Sequence, residues 1–279
     1  MYRLDNSMVT GDRTIALVGC GGTGGFVAEG LCRLFRGTRA RIILVDGDRV
    51  EERNLLRQNF YPEELGRFKA QVLAERLAMR FRMPVGYALD PLSSPMEQAS
   101  GPEWRQMNPG VLVGCVDNAL ARAAMHHWSE RWSLGWWVDV GNGEEFGQVL
   151  VGNRPSGKLA GAFRQEDGIC TALPRPTDQR PELLLPPESR NETERNGTVG
   201  NCAEAVAAGE QSPTINLAMA ALVLEVVRRI VQGTCSWMQV SLDLAAGTMQ
   251  VTHATPETVA QMTGVPAQVL VDKTDGRKG

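Results

Sequence analysis

Short apolar runs alternate with longer segments of helical periodicity through the first half of the chain. Thr14-Ile-Ala-Leu-Val18, Arg41-Ile-Ile-Leu-Val45 and Val111-Leu-Val-Gly-Cys-Val116 lack the polar alternation of a half-exposed strand. Such runs are the pattern of strands buried on both faces. Between them, Phe26 to Phe35 repeats apolar positions every three to four residues and stops at Gly37. Arg67 to Phe81 is amphipathic and ends before Pro84. Ala119 to Trp132 reads as a further helix, and Trp136 to Val140 as a strand. Regular strand–helix alternation predicts an α/β fold, a Rossmann-like, doubly wound and mostly parallel sheet.

The pattern then changes. Gln148 to Val151 reads as a strand with no helix directly behind it. Residues 154–201 hold six of the chain's 15 prolines among many polar residues, which predicts a long crossover loop. That composition offers little apolar surface to offset ordering entropy, so the loop is expected to be mobile. Ser212-Pro213 reads as an N-cap followed by proline at the first helical position. The helix Thr214 to Val231 closes at Gly233, and Glu225, Arg228 and Arg229 mark it as a core helix rather than a membrane span. Trp237 to Leu244 and Thr248 to His253 predict a hairpin around Ala245-Ala-Gly247. The sheet is therefore expected to be extended by C-terminal antiparallel strands.

Composition narrows the function. Apolar residues make up 43% and charged residues 22% of the 279, as in ordinary globular proteins. A net charge of −3 argues against a general nucleic-acid partner. No segment is long and apolar enough for a membrane, and Met1 to Gly11 has no apolar signal region. The cysteines at 20, 32, 115, 170, 202 and 235 form no Cys-x-x-Cys pair. That spacing predicts no disulfide framework and a cytoplasmic protein.

The candidate chemistry begins at Gly19-Cys20-Gly21-Gly22-Thr23-Gly24, a Gly-x-Gly-x-x-Gly turn between a strand and a helix. Gly19, Gly21, Gly22 and Gly24 would let the backbone approach a phosphate at a helix N-terminus. Asp46 follows 22 residues after Gly24, where a carboxylate accepts from ribose hydroxyls. The turn by itself leaves NAD and ATP open. Arg57 and Lys69, in the same stretch as Asp48, Asn54 and Gln58, favour the more highly charged triphosphate. Cations there would stabilise a departing pyrophosphate. Asp117 stands just past the fourth strand, as either a magnesium ligand or the N-cap of the next helix.

Taken together, these residues resemble the ThiF/MoeB/HesA adenylyltransferases, which share an adenylation fold with the ubiquitin-activating enzymes. The matching pieces are Gly19 to Gly24, Asp46 to Val50, Asn54 to Gln58, Gly66 to Lys69, Asp117-Asn118 and Arg122. The resemblance covers residues 13 to about 151 and resumes at Cys202-Ala-Glu-Ala205. The overall layout is similar to the ThiF-type proteins of PRTRC gene systems. The resemblance implies one adenylation domain over 1–279. Within it, 12–153 would be the nucleotide-binding half, 154–201 the crossover loop, and 202–272 the C-terminal helix and strands. It implies that Asp46 binds ribose, that Asn54, Arg57 and Lys69 contact phosphates, and that Asp117 holds Mg2+. Asp48 and Gln58 belong to the same nucleotide site. The implied substrates are ATP and the C-terminal carboxylate of a small β-grasp, ubiquitin-like protein ending in glycine. The implied assembly is a homodimer.

The sequence also departs from its relatives. Many of them hold zinc with two Cys-x-x-Cys pairs, which are missing here, so no zinc is expected. Cys202 falls where some relatives carry a transfer cysteine, and is either that acceptor or an inert thiol. The competing readings are an NAD-dependent oxidoreductase built on the same turn, and a nucleotide-binding scaffold without catalysis.

Overall fold

A computed structural model of the chain describes residues 1–10, 13–89, 109–131, 135–185 and 212–272. The strands are β1 (Arg3–Leu4), β2 (Thr14–Val18), β3 (Arg41–Val45), β4 (Val85–Ala88), β5 (Val111–Gly114), β6 (Trp136–Asn142), β7 (Phe146–Gly152), β8 (Phe163–Arg164), β9 (Ile169–Cys170), β10 (Trp237–Asp243), β11 (Thr248–His253) and β12 (Val271–Asp272). The helices that matter below are α1 (Gly22–Leu34), α2 (Glu52–Leu55), α3 (Lys69–Phe81), α4 (Ala119–Arg131), α5 (Pro176–Gln179) and α6 (Pro213–Val231). Among the described residues no helix is long and apolar enough to cross a membrane.

The main sheet has the order β11-β10-β7-β6-β5-β2-β3-β4. Strands β4, β3, β2, β5 and β6 run parallel, and β7, β10 and β11 continue the sheet antiparallel. This is the expected parallel sheet with its C-terminal antiparallel extension. Alternate residues of the apolar runs serve two separate layers, as the pleat requires. Ile15, Leu17, Ile42, Leu44, Val111 and Val113 pack with Leu31, Leu73, Leu77 and Val223 beneath α1, α3 and α6. Ala16, Val18, Ile43, Val45 and Leu112 pack with Ala121, Met125 and Trp128 beneath α4. Trp136 and Trp137 divide in the same way, one to each layer. Along the first face α6 lies tight against α1, since a Cβ at Gly30 would overlap the Leu224 side chain. Ser212 caps α6 by accepting from the Ile215 N–H at 3.2 Å, with Pro213 behind it.

The reading of residues 154–201 as one long loop is corrected for its first part. Residues 154–185 carry β8, β9 and α5, and Phe163, Cys170, Leu173 and Thr177 are buried. Strands β8 and β9 join β1 and β12 in a second sheet of order β1-β9-β8-β12. Each of these strands is two residues long, too short to display a periodicity. Their partners come from the two ends of the described chain.

A buried ion pair ties α4 to β6. Arg122 Nε donates to Asp139 Oδ2 at 3.1 Å, and its guanidinium also donates to the Val140 carbonyl at 3.3 Å. The two side chains are 6% and 2% exposed. Burial pushes the Asp139 carboxyl up, and the Arg122 charge opposes that shift. Asp139→Ala should therefore cost about 3–5 kcal/mol in urea denaturation, because an uncompensated guanidinium remains buried. Removing both partners as Arg122→Met/Asp139→Leu should recover most of that loss. The exposed Arg67–Glu75 pair should give less than about 1 kcal/mol on Arg67→Ala. Equal losses at the two sites would show that burial of the Arg122–Asp139 pair has no energetic consequence.

Candidate active site

Three strand ends converge on one edge. The parallel register sets Val18 beside both Val45 and Gly114, so Gly19, Asp46 and Cys115 leave the sheet together. Gly19 N–H donates to the Val45 carbonyl at 2.9 Å, and Cys115 N–H to the Val18 carbonyl at 2.7 Å. Gly19 adopts φ +90°, and the Cys115 carbonyl occupies the place a Cβ would need. Gly24 is pressed as closely onto the Gly19 carbonyl. Only glycine fits either position. Helix α1 then opens at Gly22 with no side-chain cap and no acidic residue in its first turn. Its leading N–H groups and the positive end of its dipole are left for an anion.

Asp46 joins this turn to the next loop. Oδ2 accepts the Cys20 N–H and Oδ1 accepts the Asp48 N–H, both at 2.7 Å. Burial pushes the Asp46 carboxyl above its ordinary range, while the Cys20 N–H and the Lys69 ammonium pull it back. Both oxygens retain a second lone pair for a ligand hydroxyl.

Lys69 opens α3 and is buried at 7% exposure. Its Nζ lies 3.1 Å from Asp48 Oδ2, and its N–H donates to the Asp48 carbonyl at 2.9 Å. A cation in the first turn of a helix opposes the macrodipole, and burying an ammonium adds to that cost. Helix stability does not explain this lysine; within the chain its counter-charges are Asp48 beside it and the Asp46 carboxylate.

The Asn54 segment is a display turn. Asn54 is buried, and its side-chain carbonyl accepts the Glu51 N–H at 2.9 Å, closing the single turn of α2. Its backbone carbonyl accepts from Arg57 and Gln58 at 3.2 and 2.8 Å. Arg57 is half-buried there. Gln58 lies against Gly21, and its side-chain oxygen is buried without a partner.

Asp117 is exposed, and Asn118 beside it caps α4 by accepting the Ala121 N–H at 2.8 Å. Asn118 also donates to Asp117 Oδ1 at 3.3 Å. The helix-cap alternative for Asp117 thus passes to its neighbour, which frees the Asp117 carboxylate for a ligand. Among the described residues no group of three His, Cys, Asp or Glu side chains could hold a metal. Cys202 lies outside the described residues.

One part of the site escaped the sequence reading. Thr23, Asn142 and Asn216 form a buried polar triad against the first turn of α1. Thr23 lies in a variable position of the glycine motif, and its partners stand 119 and 193 residues away. Only the break that Asn216 makes in the apolar run of α6 could have drawn attention to it.

Comparison with known proteins identifies the family. The ThiF family profile matches residues 10–257. Ubiquitin-like modifier-activating enzyme 5 of Drosophila willistoni is 30% identical over 139 residues, covering 45% of this chain and 32% of the relative. The Gallus gallus enzyme of the same name is 34% identical over 122 residues, covering 40% and 30%. The match thus spans about a third of these relatives. In fold, the chain is similar to E. coli MccB solved with ATP, at TM-score 0.58 and 16% identity over 89% of this chain and 65% of that one. PaaA is similar at TM-score 0.58 and 16% identity, over 86% and 72%. With the family profile spanning most of its length, the chain belongs to the ThiF family.

Proposed function

We propose that this protein uses ATP to adenylate the C-terminal carboxylate of a small ubiquitin-like or sulfur-carrier-type protein. The carrying observation is Lys69: a buried ammonium beside Asp48, acting electrostatically on both Asp46 and the glycine turn at Cys20. A dinucleotide's pyrophosphate is served by backbone N–H groups, and a buried lysine would have no task there. A triphosphate cleaved between its α and β phosphates gives it one. Family membership supports the same reading, as do relatives named ubiquitin-like modifier-activating enzymes.

In this reading a substrate carboxylate oxygen attacks the α-phosphorus. The electron pair of the breaking P–O bond leaves with pyrophosphate, and the product is an acyl-adenylate. Residues at the start of α1 receive the α-phosphate, and Asp46 accepts from the ribose. Arg57 and Lys69 stabilise the charge that grows on pyrophosphate. Asp117, with phosphate oxygens and water, would hold a magnesium ion that neutralises part of that charge. Cys202 would accept the acyl group as a thioester, displacing AMP.

Arg57→Ala, Lys69→Ala and Asp117→Ala should each lower partner-dependent exchange of labelled pyrophosphate into ATP by ~10²–10³, the usual scale for losing one transition-state donor. The assay uses a small β-grasp protein ending in glycine. Wild-type exchange together with an unimpaired Lys69→Ala would remove Lys69 from the mechanism.

Asp46→Ala should raise the KM for ATP more than it lowers kcat, because ribose contacts persist unchanged into the transition state. The ionised carboxylate is the better acceptor, and burial raises its pKa from the ordinary 3.8. ATP affinity should then fall with decreasing pH, starting above the range of a solvent-exposed carboxylate. Asp46→Asn should flatten that dependence. The quickest discriminating measurement is thermal stability with MgATP against NAD. Stabilisation by NAD alone would replace this reading with a dehydrogenase.

A further inference from the structure

The Thr23–Asn142–Asn216 triad sits where three elements meet, and the mechanism above gives its side chains no role. Thr23 lies in the first turn of α1, Asn142 ends β6, and Asn216 lies in the first turn of α6. Exposures are 6%, 7% and 0%. Thr23 Oγ1 is 3.0 Å from Asn142 Oδ1 and 3.1 Å from Asn216 Oδ1. Asn142 Nδ2 donates to Asn216 Oδ1 at 3.0 Å. The hydroxyl carries a single proton, so it serves one of these two acceptors at a time. Asn216 Nδ2 is buried without a partner and faces Gly22, where it fills the space a Cβ would occupy.

An unpartnered amide nitrogen in a dry interior is destabilising, and an apolar side chain of similar volume would avoid that penalty. A core packed for stability alone gives no reason for an asparagine here. The position of the side chain suggests one. It touches Gly22, the first residue of α1, while its oxygen engages the neighbouring Thr23 and Asn142. Two successive residues of the glycine turn are thereby fixed from behind, against both the sheet and α6. The α6 cap is tied to the same end of the sheet, since Ser212 Oγ donates to the Glu144 carbonyl at 3.2 Å.

We propose that Asn216 is a positioning residue for the nucleotide: acting through Gly22 and Thr23, it aligns the N–H groups of α1 that receive the phosphates. The inference rests on the nucleotide-binding reading above. It concerns a residue that need never touch the nucleotide, and its effect is on the ground-state complex and the transition state alike. Loss of Asn216 should therefore appear in affinity for ATP and leave kcat nearly unchanged.

Isothermal titration of MgATP into the full chain, at a temperature well below each variant's Tm, tests this. Asn216→Ala should weaken binding roughly ten-fold, the equivalent of ~1.4 kcal/mol. Thr23→Val, which keeps the side-chain shape and removes the hydroxyl, should weaken it about three- to ten-fold. The double variant should fall short of the product of the two effects, because both remove parts of one network. Asn153→Ala calibrates the structural component. Asn153 is also a buried asparagine, bonded to Thr171 and Leu173 away from the turn, so its loss should lower Tm and leave the ATP Kd unchanged. Wild-type Kd values in folded Asn216→Ala and Thr23→Val, with Tm lowered as in Asn153→Ala, would overturn the inference and leave the nucleotide reading standing. A wild-type chain that binds no MgATP would overturn both. If Asn216→Ala fails to fold, Thr23→Val decides the question.

Discussion

The site depends on one buried carboxylate. Asp46 accepts an N–H from each of two loops, the glycine turn at Cys20 and the β3–α2 connection at Asp48. A neutral side chain of the same shape would keep at most one of these as an acceptor. The carboxylate is also what makes a buried Lys69 tolerable, since the two charges oppose each other's desolvation. Register does the rest: because β2 pairs in parallel with both β3 and β5, the three strand ends reach the same edge. Carboxyl edges of this kind are where open α/β sheets place ligands.

Much of this architecture was legible from the chain. Apolar runs of four to six residues can be strands buried on both faces, and each of them is one. The helix starting at Pro213 carried its own N-cap signal. The glycine turn was legible for a physical reason. Gly19 needs a positive φ, and Gly24 needs room beside a carbonyl, and both constraints are imposed within the local sequence. What stayed hidden was non-local. The second sheet pairs two-residue strands in mid-chain with two-residue strands near the ends of the described chain, and no window of sequence contains enough of it to show a pattern. The Thr23–Asn142–Asn216 contacts are invisible for the same reason.

The same distinction changed the roles of individual residues. Asp117 and Asn118 are adjacent and chemically similar, and sequence alone could not say which of them caps α4. The backbone settles it, since Asn118 Oδ1 reaches the Ala121 N–H. Asn54 resembles a phosphate ligand by its motif. In the folded chain its side-chain carbonyl is already committed to the Glu51 N–H, so its first effect is to shape the turn that presents Arg57 and Gln58.

The pairing of Lys69 with Asp48 shows how the site can hold a buried cation before a ligand arrives. The two side chains differ sharply, at 9% and 74% exposure. Lys69 is fixed by the packing of α3 and is nearly closed off from water, whereas Asp48 loses little by turning outward into solvent. Under the proposed function, an incoming polyphosphate would displace the exposed Asp48 rather than move Lys69. The exchange replaces one carboxylate with phosphate oxygens of higher charge density and keeps the ammonium in place. A site arranged this way is preorganised where charge must be buried and adaptable where it meets water, which is the division electrostatic catalysis requires.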